Sequence, residues 1–230
     1  MERKLTTKTI VITGMFAAVI AVLAQIAIPM PSGVPITLQT FAIALTGAVL
    51  GARLGTAATG IYILLGAVGV PVFSNFTGGL AIIAGKTGGF IWGFLFLALL
   101  CGAGATLKNK PLGVAAGLIG LIACHLLGTL QFSFLTGMNF PESALLVSVP
   151  YLPKDILSLI LAYALGLQIR KQLLRAAILP PQAPKKAPLK FLPEAHTSGF
   201  SFPIFSLSGH FYSSKAPFHP FLTTQPACRR

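Results

Sequence analysis

Residues 9–29 read TIVITGMFAAVIAVLAQIAIP, a run of 21 residues without a charged side chain. An α-helix needs about 20 apolar residues to cross the hydrocarbon core of a bilayer, so this stretch predicts a membrane-spanning helix. Five further apolar segments follow, over residues 37–52, 54–71, 80–105, 112–136 and 154–175. The sequence therefore predicts an all-α polytopic membrane protein of six transmembrane helices, of which the short second and third are the hardest to separate.

The composition supports this fold class. Only 9% of the 230 residues are charged and 54% are hydrophobic, whereas a soluble domain usually carries about 25% charged residues. Four acidic residues leave little material for acid–base catalysis, which argues against most hydrolytic and phosphoryl-transfer enzymes. The three cysteines have neither paired nor metal-ligand spacing, so we expect no disulfide framework and no zinc site. We also expect no other metal and no cofactor.

The basic residues predict the orientation in the membrane. In an alternation of six helices, nine of them fall on one side: Arg3, Lys4, Lys8, Arg53, Lys108, Lys110, Arg170, Lys171 and Arg175. The positive-inside rule makes that side cytoplasmic, with both termini on it. This distribution explains the net charge of +13 better than nucleic-acid binding does.

The chain changes character after the sixth segment. Residues 178–230 contain nine prolines and have no hydrophobic period, which excludes a long helix. We therefore divide the chain into a membrane domain, residues 1–177, and a disordered basic tail, residues 178–230. The tail either touches the anionic leaflet through its basic and aromatic residues or has no required function.

Three irregular stretches lie on the side opposite the basic residues: 29–40, 66–79 and 85–94. Irregular backbone at membrane depth persists only where it is buried in protein or lines a cavity. Gln39 would face such a cavity or bond a neighbouring helix. Asn75 and Thr87 offer hydrogen bonds. The nearby aromatic side chains would form apolar walls or an interfacial belt: Phe73, Phe76, Phe90 and Trp92.

The tripeptide Gly85-Lys86-Thr87 invites a phosphate-loop interpretation, which fails because Leu80 stands where that motif needs a glycine. Asp155 lies in the first turn of the last segment, and a carboxylate there is either functional or a favourable helix-start charge. His125 lies in the fifth segment beside Cys124. Adjacent helical residues point about 100° apart, so we expect a helix-to-helix hydrogen bond for His125 and packing for Cys124.

The first segment also carries a pair of small residues. Ala17 and Ala21, at positions i and i+4, flatten one face of the predicted helix. Small residues at this spacing allow close helix approach in membranes. The face would serve either a partner or packing within the chain.

Taken together, the segments described above resemble the BioY family, the biotin-binding S components of energy-coupling factor (ECF) transporters. The resemblance covers roughly residues 9–175. It rests on five stretches in order: GVPITLQTFA, LLGAVGVPVFSNFTGG, GKTGGFIWGF, GTLQFSFLTGMNFPESA and PYLPKDIL.

The resemblance implies a non-enzymatic six-helix protein of the bacterial inner membrane that captures biotin near its external face. It also implies docking, through Ala17 and Ala21, on a membrane coupling subunit that two ATPase subunits drive. Self-association stays open. The rival interpretations are an S component for another vitamin and an integral-membrane enzyme that uses His125, Cys124 or Asp155.

The resemblance further implies a ligand-binding set. Asp155 would accept a ureido N–H, and Lys86 or Lys154 would neutralise the ligand carboxylate. The other members would be Gln39, Phe73, Asn75, Thr87 and Phe90.

The chain departs from the family pattern at several of these positions. Lys86 and Phe90 replace the usual proline and tyrosine. Lys154 replaces a glycine, and Ser158 replaces a lysine that usually follows the aspartate.

Overall fold

The structure, a computed structural model, describes residues 6–176, 178 and 179. Eight helices occur within that part of the chain: α1 (Thr7–Ala24), α2 (Gln39–Leu50), α3 (Ala52–Ala67), α4 (Leu80–Ala84), α5 (Gly88–Gly104), α6 (Lys110–Thr136), α7 (Phe140–Val147) and α8 (Leu152–Arg175). Helices α1, α6 and α8 are long and apolar enough to cross a membrane, and α2, α3 and α5 are shorter apolar helices. The predicted all-α membrane fold is confirmed.

The predicted segment 80–105 is not one helix. It breaks at Gly85–Thr87 into α4 and α5. Gln131 of α6 stabilises the break, because its Nε2 donates to the carbonyl oxygens of Ile83 at 2.9 Å and Gly85 at 2.8 Å. The short helix α7 was also missed by the sequence analysis; it begins after Asn139 and carries Pro141 in its first turn.

A single glycine separates α2 from α3. Gly51 has φ +84°, a conformation that a residue with a Cβ rarely adopts. The two helices then fold back closely, since a Cβ placed on Gly55 would lie 2.8 Å from the Cα of Gly47. The junction that was least certain in the sequence is therefore a one-residue reversal between two separate helices.

Helices α5 and α6 approach each other through glycines. A Cβ built on Gly93 of α5 would lie 2.8 Å from Cys124 Sγ of α6. One built on Gly120 of α6 would lie 3.0 Å from Leu97 Cα of α5. Small residues at such contacts allow the backbone-to-backbone packing on which membrane helices depend.

The two ends of the bundle differ in character. At one end, buried Arg170 of α8 donates through Nη1 to the carbonyl oxygen of Val49, at 2.8 Å, near the C-terminus of α2. A cation is favourable there because it meets the negative end of the helix dipole. The other end carries the first residues of α2 and α8, with Gln39 and Asp155 in their first turns.

The predicted tail lies outside the described residues except for its first two. Leu179, just beyond the predicted boundary, is 5% exposed and belongs to the main hydrophobic core.

Candidate functional site

A cavity opens at the end of the bundle that carries Gln39 and Asp155. The empty space among its lining residues is about 610 Å³ when the open solvent at its mouth is counted. Helices α2, α5, α6 and α8 form its walls, and two irregular loops cover it. The polar side chains of the lining are Thr37, Gln39, Thr40, Ser74, Thr87, His125, Tyr151, Lys154 and Asp155.

A short hairpin covers one side of the cavity. Its strands, β1 (Ala27–Ile28) and β2 (Ile36–Thr37), pair antiparallel, and prolines interrupt the connection between them. Tyr151, just before α8, donates its hydroxyl to the carbonyl oxygen of Val34. This contact joins the hairpin to the start of α8, and Val34 and Tyr151 both line the cavity.

The loop between α3 and α4 covers the other side. Phe73 is 1% exposed and packs edge-on against Tyr62 of α3, with ring centroids 5.6 Å apart. Gly66 makes room for this ring, because a Cβ at that position would overlap Phe73. The loop thus sets one aromatic side chain firmly into the cavity wall.

The same loop contains a strained turn beside Phe73. Asn75 and Phe76 have φ values of 57° and 54°, which are uncommon for residues other than glycine. Gln25, at the end of α1, holds this turn. Its Oε1 accepts from the Phe76 amide at 2.8 Å, and its Nε2 donates to the Val72 carbonyl oxygen at 3.1 Å.

Gln39 fulfils both functions that the sequence left open. It lines the cavity, and its amide is also bonded within the chain. Thr37 donates to its Oε1 at 3.0 Å, and its Nε2 donates to the hydroxyl of Tyr62 on α3. These bonds fix the orientation of the amide.

Asp155 is the most constrained polar group in the cavity. It is 5% exposed, and each of its oxygens faces a different basic group. Oδ2 lies 3.2 Å from Nε2 of His125 on α6, and Oδ1 lies 2.5 Å from Nζ of Lys154. Lys154 also donates to the carbonyl oxygen of Thr37 at 2.8 Å. Oδ1 is thus held in an ion pair with Lys154, but a carboxylate oxygen has more than one lone pair and can accept a further bond.

The structure brings most of the predicted site residues together. Six of them line the cavity: Gln39, Phe73, Thr87, Phe90, Lys154 and Asp155. Asn75 is exposed on the strained turn, next to Ser74, which does line the cavity. Lys86 is exposed, and its aliphatic chain lies beside Gly33 of the hairpin.

Some aromatic and small residues lie elsewhere. Phe76 is 72% exposed and Trp92 49% exposed, whereas Phe94, which the sequence analysis did not select, lines the cavity. Ala17 is 2% exposed and belongs to the main core, against which Ala21 also packs. Their face is therefore packed within the chain, one of the two alternatives that the sequence left open.

His125 also lines the cavity, although the sequence predicted for it only a helix-to-helix hydrogen bond or, in the rival interpretation, catalysis. It makes the expected helix-to-helix hydrogen bond, from α6 to α8, and its partner is Asp155 inside the cavity. Helix α6 is apolar on nearly all sides and holds no charged residue after Lys110. No sequence signal therefore reveals which of its faces meets the cavity.

Comparison with known sequences decides the family. A sequence model of the BioY family matches residues 1–175. The chain belongs to the BioY family. A relative from Thermotoga maritima, named biotin transporter BioY, is 37% identical over 69% of this chain and 93% of its own length. The biotin transporter BioY2 of Lactococcus lactis is 36% identical over 74% of this chain and 93% of its own.

A solved structure agrees with this BioY-family assignment. It is the crystal structure at 2.1 Å of the S-component for biotin from an ECF-type ABC transporter. It aligns with a TM-score of 0.67 at 28% identity, over 75% of this chain and 95% of that one. These relatives are named as transporters, which places the chain in a transporter family and not in an enzyme family.

Proposed function

We propose that this chain captures biotin on the outer side of a bacterial inner membrane, as the substrate-binding S component of an ECF-type importer. The observation that carries the proposal is the Lys154–Asp155 pair, largely buried in a mostly apolar cavity. An ionisable pair at membrane depth is costly unless it has a function. Both termini would be cytoplasmic, and the cavity would open outward.

The pair suits a cyclic urea. A ureido group presents an N–H donor and a carbonyl acceptor side by side, and the protein presents a carboxylate acceptor beside an ammonium donor. Oδ1 of Asp155 would accept the ureido N–H with its remaining lone pair, and Lys154 would donate to the ureido carbonyl. The apolar bicycle would then pack on Phe73 and Phe90.

This arrangement separates the two ends of the ligand. Biotin carries its carboxylate on a four-methylene chain, too far from the ureido group for the 2.5 Å Lys154–Asp155 pair to bind both. The carboxylate would therefore lie at the wet mouth of the cavity, within reach of exposed Lys86 beside the hairpin. Thr87 and Gln39 would complete the lining, and Asn75 would join it through movement of its turn.

The partners would be a membrane coupling subunit and two ATPase subunits. Ala17 and Ala21 are packed against the core, so the docking surface would be the exposed strip of α1 beside them. Gly14 and Ala18 lie there at positions i and i+4 and are exposed. A Cβ on Gly14 would meet no described atom within 4 Å.

Equilibrium ligand binding by the detergent-purified full chain tests this proposal. Calorimetric titration with biotin, thiamine and riboflavin should give submicromolar binding for biotin alone. Tight binding of thiamine or riboflavin without biotin binding would instead support an S component for another vitamin. Binding of none of the three would overturn the proposal.

A further inference from the structure

A chain of buried polar groups leads from the protein interior to Asp155. Thr129 Oγ1 lies 2.6 Å from Ser148 Oγ, which lies 3.1 Å from His125 Nδ1. His125 Nε2 completes the chain at 3.2 Å from Asp155 Oδ2. The four side chains are between 1% and 7% exposed, and they connect α6, the end of α7 and α8.

When the His125 ring is neutral, the chemistry of the groups gives this series of hydrogen bonds one direction. An ionised carboxylate only accepts hydrogen bonds, so His125 must carry its proton on Nε2. In the neutral ring Nδ1 is then an acceptor, and Ser148 must donate to it. Thr129 must in turn donate to Ser148. With the ring neutral, every donor in the series points toward Asp155.

We infer that His125 is a positioning residue for ligand binding, and this inference rests on the proposed function. By holding Oδ2, it fixes the plane of the Asp155 carboxylate and leaves Oδ1 toward Lys154 and the ligand. Without the hydrogen bond from His125, the carboxylate is free to turn both oxygens toward Lys154. The ammonium of Lys154 would then occupy both oxygens of Asp155, and a ligand N–H would lose its acceptor.

The surrounding packing keeps the imidazole in place. Phe90 meets the ring edge-on, with centroids 5.7 Å apart and planes at 88°. Gly128, one turn along α6 from His125, makes room for Phe90, since a Cβ there would overlap its ring. Phe90 also lines the cavity. Phe90, which would pack against the ligand, and His125, which orients Asp155, therefore stabilise each other's position.

Two amide substitutions separate positioning from packing. In His125→Gln the side-chain amide nitrogen can take the place of Nε2, whereas in His125→Asn it takes the place of Nδ1 and cannot reach Asp155. We expect H125N to weaken biotin binding by about tenfold or more, and H125Q to recover most of that loss. Thermal unfolding of both variants shows whether each one folds.

A pair of serine substitutions tests the inner part of this series of hydrogen bonds. Ser148→Ala removes the donor to Nδ1 and should weaken biotin binding about threefold. Ser143→Ala removes another buried hydroxyl, on α7, whose oxygen has no hydrogen-bond partner in the described chain. It should leave binding unchanged. This pair keeps the inference testable even if H125N does not fold.

The outcomes distinguish the inference from the proposed function. If the unmodified chain fails to bind biotin, the proposed function is wrong and the inference falls with it. If the unmodified chain binds biotin and folded H125N binds it as tightly as H125Q does, the positioning inference alone is overturned. The same holds if S148A binds biotin as tightly as S143A does.

Discussion

Lys154 Nζ lies 2.5 Å from Asp155 Oδ1, although the two residues are neighbours in the first turn of α8. Neighbouring side chains on a helix diverge by about 100°, so the contact depends on the length and flexibility of the lysine side chain. Lys154 also donates to the Thr37 carbonyl oxygen of β2. The lysine therefore links the start of α8 to the hairpin, and its ammonium stays beside the one carboxylate that lines the cavity.

Removing that carboxylate should abolish tight capture. Asp155→Ala leaves Lys154 and His125 without their shared partner and removes the proposed ureido acceptor. We expect the biotin Kd of the purified chain to rise at least tenfold, about 1.4 kcal/mol or more. Glu142→Ala removes an exposed carboxylate from α7 and serves as the control. Equal effects of the two substitutions would remove Asp155 from the site.

The two lysines should differ in what they recognise. If Lys86 neutralises the ligand carboxylate, Lys86→Met should cost about threefold in affinity for biotin and nothing for neutral biotinamide, because an exposed ion pair contributes little. Lys154→Met should weaken both ligands equally, since both carry the ureido group. Competition binding with the two ligands measures this. If Lys154→Met removed the preference for biotin over biotinamide while Lys86→Met left it intact, the functions of the two lysines would be the reverse of those proposed.

Two glycines of α3 should respond oppositely to the same substitution. A Cβ on Gly66 would overlap the Phe73 ring, whereas one on Gly60 would meet no described atom within 4 Å. Gly66→Ala should therefore displace Phe73, weaken biotin binding at least tenfold and lower the Tm. Gly60→Ala should leave binding unchanged and leave the Tm equal or higher, because alanine favours helix. A Gly66→Ala variant with normal binding would mean that Phe73 is not a fixed wall.

The outer face of α1 should matter for uptake and not for capture. Ala18→Leu adds bulk to the exposed face on which we propose docking, and Ala164→Leu makes the same change on an exposed face of α8. In cells that also produce the coupling and ATPase subunits, Ala18→Leu should reduce biotin uptake severalfold, while its Kd for biotin stays normal. Uptake that Ala164→Leu impairs equally would argue against a specific surface on α1.

The fold was more predictable than the details of the site. Long uncharged runs such as 9–29 identify membrane helices directly, because a bilayer demands them. The break at Gly85–Thr87 was not predictable, since it depends on Gln131, nearly 50 residues away, to satisfy the freed carbonyl oxygens. The one-residue reversal at Gly51 likewise depends on how closely two helices pack.

Residue types suggested which groups to consider, but not which of them would meet. Asp155, Gln39 and Phe73 stand out as a carboxylate, an amide and an aromatic ring beside proline or glycine breaks. His125 stands out as a histidine in an apolar helix, but its partner was not predictable, because the rotation of that helix about its axis leaves no trace in the sequence. The choice between Lys86 and Lys154 depends on side-chain reach, which only the folded chain displays.

Comparison of biotin with lipoate tests the central claim most directly. Lipoate carries a similar acid chain on a small sulfur-containing ring, but it has no ureido group. If Lys154 and Asp155 recognise the urea, the purified chain should bind biotin with a submicromolar Kd and lipoate about a hundredfold or more weakly. Comparable affinities for the two acids would show that the buried pair does not read the ureido group.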